Sequence, residues 1–406
     1  VRNEIGSTRA THHFRPASLL LLFLALLASP LTAEEPAKGD AADALRLTLP
    51  KTIYAVPGIE MNVYFDNICL VLNATNYLFD VTCSKGVQQA ERWTYTPKPE
   101  DVGVHAFRID VRDTENHVIA QADSKLHVTA ADAGAGRPVS CLIMGDSLTA
   151  ASAYPQRLLD NCAKDGNPAL QLIGSYGPGG KPGINRHEGY GGWTAAGFAT
   201  RFKGTPREGD RKDRATPFMY LDANGKPGLD FARYCQDMNG GKAPDVVTIF
   251  LGCNDTFSST DETIDGRIDG MFKHYDTLLK MIHGLSKDTI IGAVLIVPPA
   301  GTQDAFGTNY KCGQTRWQYK RNQHRVVERM MATYGNHEAE NIFLIPAYIN
   351  LDTQRNYPKR TAPANATTKT ELTRLSNGVH PARDGYYQIG DTIYCWLKAQ
   401  LADAPK

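Results

Sequence analysis

Val139-Ser140-Cys141-Leu142-Ile143-Met144-Gly145-Asp146-Ser147-Leu148 is the stretch on which the reading of the fold turns. A short apolar run closed by glycine has the composition of a fully buried strand. The small polar residues after it suit a strand-to-helix turn. Four further runs of the same kind follow at Leu170–Ile173, Val246–Leu251, Ile290–Val297 and Ile342–Ile345. Between and after them, Ile264–Leu285, Trp317–Tyr334 and Tyr386–Leu401 carry apolar residues at helical spacing. Strands alternating with helical crossovers imply a parallel sheet covered on both faces. Residues 139–402 are therefore expected to form an α/β unit, a flavodoxin-like three-layer sandwich with a five-stranded parallel sheet. In such sheets, sites form beyond the C-terminal strand ends where the strand order reverses. Ser147 directly follows the first strand and Asn254 follows the third, so the two are expected to meet there.

Upstream the pattern changes. In Phe107-Arg108-Ile109-Asp110-Val111-Arg112, apolar and charged residues alternate strictly, the period of a half-buried strand. Similar runs occur at Met61–Phe65, Tyr77–Val81 and His117–Val128, separated by turn residues such as Pro57-Gly58 and Ser84-Lys85-Gly86. Residues 46–130 read as a small immunoglobulin-like β-sandwich. Residues 131–138, rich in Ala and Gly, read as a linker. Residues 1–33 read as an export signal: Arg9 and Arg15 precede the apolar run Leu19–Leu27, which is too short to span a bilayer, and small residues lead to Ala33. A secreted or periplasmic protein is expected, without integral membrane association after signal removal.

The 406 residues carry 44 basic and 43 acidic side chains, a net charge of +1. Nothing in that balance favours nucleic acid or an anionic membrane as partner. The eight cysteines fit an oxidising compartment. Cys69 and Cys83, both in strand-like segments of the small β unit, are the expected disulfide, and Cys141 is expected to be a buried free thiol. There is no Cys-x-x-Cys pair and no His-Glu-x-x-His, so no metal is expected, and no organic cofactor.

Three short motifs carry the chemistry: Gly145-Asp146-Ser147-Leu148, Gly252-Cys253-Asn254-Asp255 and Gly378-Val379-His380-Pro381. Between the first two lies Glu188-Gly189-Tyr190-Gly191-Gly192-Trp193, which lacks the Lys-Ser/Thr that would make it a phosphate loop. A serine hydroxyl becomes a useful nucleophile when an adjacent base takes its proton. His380, in a loop between the last strand and the final helix, is the candidate base. His187 and His324 are read as structural. Cys253 is read as packed beside the site.

Taken together and in this order, the motifs resemble those of the SGNH (GDSL) hydrolase superfamily, over roughly residues 138–400. The resemblance implies a serine esterase with Ser147 as nucleophile and His380 as general base. It also implies an oxyanion hole of the Ser147 N–H, the Gly189 N–H and the Asn254 side chain. Members usually carry Asp three residues before the histidine; this chain has Asn377. Asn377 is thus a candidate for orienting the ring, with a backbone carbonyl or Asp384 as substitutes. Exported members with an appended β-sandwich resemble carbohydrate esterases, so the implied partner is an acylated carbohydrate or another small ester, with acetyl foremost. The alternatives are a lipase or thioesterase for longer acyl chains, or a glycan-binding protein with a degenerate hydrolase domain. Tyr190 and Trp193 are candidates for sugar stacking or for anchoring their loop. Arg316, Lys320, Arg321, Arg325 and Arg329 form a basic helix stripe, read as a solvated face or a docking face for anions. The charge-rich segment 203–214 reads as a solvated insertion.

Overall fold

Every residue of the strand Val246–Phe250 is buried, and its neighbours on both sides run parallel to it. This is the centre of the sheet that organises the chain. The computed structural model describes residues 45–202 and 215–403. The export signal and the charge-rich segment 203–214 lie outside the described residues.

The N-terminal part contributes seven strands: β1 (Thr52–Ala55), β2 (Met61–Tyr64), β3 (Leu78–Cys83), β4 (Val87–Gln88), β5 (Arg92–Tyr95), β6 (Gly103–Arg112) and β7 (Val118–Val128). They form two sheets, β1-β7-β6-β3 and β2-β5-β4. Side chains from the two sheets meet between them: Trp93 of β5 packs edge-on against Phe107 of β6 at 5.0 Å between ring centroids. The strict alternation of Phe107–Arg112 is realised, with Phe107, Ile109 and Val111 buried.

The second part runs β8 (Pro138–Gly145), α1 (Ser147–Ala150), α2 (Ala153–Cys162), β9 (Ala169–Ile173), β10 (Glu188–Gly189), α3 (Ala195–Thr200), β11 (Met219–Leu221), β12 (Pro227–Leu229), α4 (Phe231–Asn239) and β13 (Val246–Phe250). It continues with α5 (Cys253–Thr256), α6 (Ile264–Leu285), β14 (Ile290–Val294), α7 (Gln303–Tyr310), α8 (Arg316–Tyr334), β15 (Ile342–Ile345), β16 (Lys359–Pro363), β17 (Glu371–Leu375) and α9 (Arg383–Asp403). Strands β9, β8, β13, β14 and β15 are the five expected parallel strands, in that spatial order. The short β10 adds a sixth, pairing with the C-terminal end of β8 on the edge that β9 also occupies. The order reverses between β8 and β13, so the loops after these strands open into one crevice. Helix α2 packs on α9, while α6 packs with α3, α4 and α8.

One expectation is corrected. The Cys69–Cys83 bridge does not form; all eight cysteines are free thiols. Cys69 is buried and donates to the Phe65 carbonyl at 3.2 Å, among groups that include Asp66 and Lys320, whereas Cys83 sits by Lys85 and Tyr95. Cys141 is a buried free thiol, as expected. Within 131–138, read as a linker, residues 131–136 form consecutive turns; the Gly136 N–H bonds the Asn167 carbonyl, and Gly134 lies against Leu401 of α9.

The described residues pack as one compact unit. Buried amides join its two parts: Asn62 donates through its backbone N–H and its Nδ2 to Asn350 Oδ1, both at 2.9 Å, and Asn67 Nδ2 donates to the carbonyls of Tyr348 and Leu351 at 2.8 Å. A buried hydrogen bond left unmade costs about 1–3 kcal/mol, so these contacts fix one docking geometry. Among the described residues no helix is long and apolar enough to cross a membrane.

Candidate active site

The first motif leaves the sheet through Gly145, where a side chain would collide with Thr149 Oγ1 and press on the Phe250 carbonyl. Asp146 caps α1, its Oδ1 accepting the Leu148 N–H at 2.9 Å. Ser147 is the first helical residue and is half-buried. With Asp146 as the cap, the Ser147 side chain is left available. The second motif leaves β13 through Gly252, whose φ of 135° is open to glycine and strained for other residues. The two loops are tied by one carboxylate: Asp146 Oδ2 accepts from Cys253 Sγ at 2.9 Å and from Asn254 Nδ2 at 3.1 Å. Burial pushes the Asp146 carboxyl up to about 6, while the Cys253 thiol and the Leu148 N–H pull the other way.

The third motif arrives from the far end of the chain. His380 Nε2 lies 2.9 Å from Ser147 Oγ, across 233 positions of sequence. Its loop is braced rather than free. The Gly378 N–H donates to Asn309 Oδ1 at 3.2 Å, and the Gly378 carbonyl accepts the Ala300 N–H at 3.0 Å. Val379 closes a small apolar cluster with Cys253, Phe306 and Tyr319, which joins the second motif to the third.

Asn377, the candidate for orienting the His380 ring, holds the backbone beneath it. Its Oδ1 accepts the backbone N–H groups of Val379 and His380, at 3.0 and 2.9 Å. The side chain shapes the turn that carries His380, an Asx-type contact.

Gly189, the candidate oxyanion donor, lies in β10. Its N–H donates to His187 Nδ1 at 3.1 Å, and the next amide, that of Tyr190, donates to the Gly145 carbonyl at 3.0 Å. The Tyr190 amide thus holds β10 against β8, while the Gly189 amide is engaged by the His187 ring. Gly191 lines the cavity beside Ser147, along with Ala150, Ala151, Tyr176, Gly180 and Tyr190, around about 460 Å³. Asn254 is in place, but its Nδ2 already lies 3.1 Å from both Asp146 Oδ2 and the Trp193 carbonyl.

Trp193 and Tyr190 are anchors rather than an exposed platform: both are buried, their rings 4.6 Å apart, with Phe198 behind them. Tyr176, half-buried and edge-on to Tyr190 at 5.5 Å, is the more accessible ring at the cavity. Glu188 was missed as well. It is fully buried and takes bonds from the Ser175 N–H, the Ser175 hydroxyl, Tyr234 and Tyr190. Burial raises its pKa, and these donors oppose the rise. A lone acid inside a glycine-rich loop was the available signal. His187 bears out its structural reading: it is buried, with Nδ1 accepting from Gly189, so Nε2–H donates to Ser152 Oγ at 2.8 Å. Burial pushes it down to about 4.

The basic stripe on α8 offers no free charge for an anion, because each member meets an acid; its Arg325 and Arg329 end is solvated, and its Lys320 and Arg321 end is buried. Arg316 and Lys320 share Asp66, and Arg321, Arg325 and Arg329 pair with Asp261, Asp265 and Asp269. Among the described residues no cluster of His, Cys, Asp and Glu could hold a metal ion.

The arrangement sets a serine hydroxyl, at the start of a helix, against an imidazole at the sheet's switch point. The chain belongs to the GDSL-like lipase/acylhydrolase family, whose model matches residues 142–393. It is a serine ester hydrolase of the SGNH type. No curated protein matches it. Among solved structures it is similar to a carbohydrate esterase family 3 protein from Talaromyces cellulolyticus, at 16% identity over 66% of this chain and 100% of that one, with a TM-score of 0.39. A family 3 carbohydrate esterase from Clostridium thermocellum gives 16% identity, the same coverages and a TM-score of 0.38. An acetyl xylan esterase gives 13% identity over 64% and 100%, with a TM-score of 0.33.

Proposed function

We propose that this chain is an exported esterase that removes short acyl groups, acetyl foremost, from carbohydrate, through a Ser147–His380 dyad. The observation that carries the reading is the 2.9 Å contact between Ser147 Oγ and His380 Nε2. In the proposed reaction Ser147 Oγ attacks the ester carbonyl while His380 takes the hydroxyl proton. His380 then returns that proton to the departing alcohol, leaving an acyl-enzyme. Water, deprotonated by His380, attacks the acyl carbon and releases the carboxylic acid and free Ser147. The oxyanion is met by the Ser147 N–H, an N–H of the Gly191 loop and the Asn254 amide, which gives up one of its present bonds.

The walls support a reading of substrate size. Ala150, Ala151, Gly180 and Gly191 are small, and the cavity is open, which supports a small acyl group on a bulky alcohol. Tyr176 beside Ser147 supports a sugar as that alcohol. Export rests on the apolar run 19–27 and its basic flank. We also read the N-terminal sheets as immunoglobulin-like, since β3-β6-β7 and β4-β5-β2 have the strand orders expected of the two faces of such a sandwich.

The test is hydrolysis of p-nitrophenyl acetate, butyrate and octanoate, beside Ser147→Ala and His380→Ala. Activity that needs both residues and falls with chain length is the expected result, followed by release of acetate from acetylated xylan. A preference for octanoate would favour the lipase or thioesterase alternative. Equal rates for wild type and Ser147→Ala on every ester would leave the glycan-binding alternative.

A further inference from the structure

A second cavity, about 420 Å³, lies away from Ser147, where the N-terminal sheets meet the α/β part. Tyr64, Asp66, Tyr77 and Glu91 line it from one side, and Arg316 and Gln354 from the other. Its aromatic wall is firm: Phe65 and Phe79 stack almost parallel, 4.7 Å apart, and both are buried. Its charges are already matched. Asp66 pairs with Arg316 at 2.7 Å and Lys320 at 2.5 Å, and Glu91 pairs with Arg355 at 2.9 Å. An ionic ligand therefore gains little here, because each carboxylate or guanidinium it approached would have to leave an existing partner. A ligand without charge that offers hydroxyls to paired ions and amides, and a flat apolar face to tyrosine, meets no such penalty. The volume falls within the range of small-molecule sites.

We infer that this cavity binds a neutral stretch of oligosaccharide, outside the ester-bearing unit, on the same chain that Ser147 deacylates. The inference rests on the carbohydrate reading above. It also accounts for the fixed docking of the two parts, since both supply walls. The α/β wall is continuous with the catalytic loop. Arg316 Nε donates to the Ala300 carbonyl at 3.2 Å, and the Ala300 N–H holds the Gly378 carbonyl, two residues before His380.

Xylohexaose and cellohexaose, which carry no ester, are titrated into the full chain by calorimetry, with Tyr77→Ala and Gln354→Ala as variants. At least one sugar is expected to bind wild type with Kd near about 0.1–1 mM. Tyr77→Ala should weaken it by roughly tenfold. Hydrolysis of p-nitrophenyl acetate should be unchanged in both variants, which also shows that they fold. Absence of binding by either sugar to a protein that hydrolyses p-nitrophenyl acetate would overturn the inference. So would binding that survives both substitutions, or sugar that competes with p-nitrophenyl acetate equally in all three proteins. Failure of the reading beneath it would look different: no acetate released from acetylated xylan.

Discussion

Asn377 Oδ1 accepts the backbone N–H of His380 at 2.9 Å, so the residue standing where relatives carry aspartate builds the turn under the base. An aspartate would make the same two backbone bonds and add charge. Asn377→Asp is thus expected to keep kcat on p-nitrophenyl acetate at or above the wild-type value. Asn377→Ala releases the turn, and its kcat should fall by roughly 10–100-fold, because small displacements of a catalytic group are costly. Steady-state kinetics on the pair checks both directions.

Asn254 combines two duties, bracing Asp146 and, in the proposed reaction, meeting the oxyanion. Asn254→Ala should lower kcat by about 10²–10³-fold, the usual loss for one oxyanion donor. Asn254→Asp should be worse, since it sets a second carboxylate against the buried Asp146. Comparison of kcat and KM for the two variants tests this, with the loss expected in kcat.

Asp66 neutralises Lys320, which is 2% exposed, together with Arg316. Removing one partner of such a pair leaves an uncompensated charge, so Asp66→Ala should destabilise the chain by about 3 kcal/mol. Arg316 also holds the segment that supports the His380 loop, and kcat should drop with stability. Denaturant unfolding and p-nitrophenyl acetate turnover give the two readouts.

Burial raises Asp255 to about 7 and Asp146 to about 6, both above an unfolded value near 3.9. The folded protein therefore holds these protons more tightly than the unfolded chain. The resulting stability is complete below about pH 4 and is lost as pH rises through 6 and 7. Asp255→Asn keeps an acceptor for the Ala195 N–H, which the carboxylate now binds at 3.1 Å. Its melting temperature should exceed wild type at pH 8, with the difference shrinking towards pH 4. Melting curves across that range would expose a wrong sign directly.

Much of the architecture was legible because short apolar runs such as Val246–Leu251 do not suit an amphipathic surface helix. The reversal of strand order at β8 and β13 then brings Ser147 and Asn254 together without any knowledge of side-chain contacts. What stayed hidden depended on where individual donors point. Gly189 and Gly191 are two positions apart and equally small, yet the His187 ring takes the amide of residue 189, strand pairing takes that of residue 190, and Gly191 lies at the cavity. The α8 stripe reads as free charge only until Asp66, Asp261, Asp265 and Asp269 arrive from other elements. Cys69 and Cys83 share a region of sequence but not an environment.

The most direct test of the account is covalent capture of the nucleophile. The full chain is treated with a fluorophosphonate, and the modified peptide is located by mass spectrometry. The account predicts one adduct, on Ser147, with labelling slowed strongly in His380→Ala. An intact protein with no adduct, or one labelled at a different serine, would contradict it.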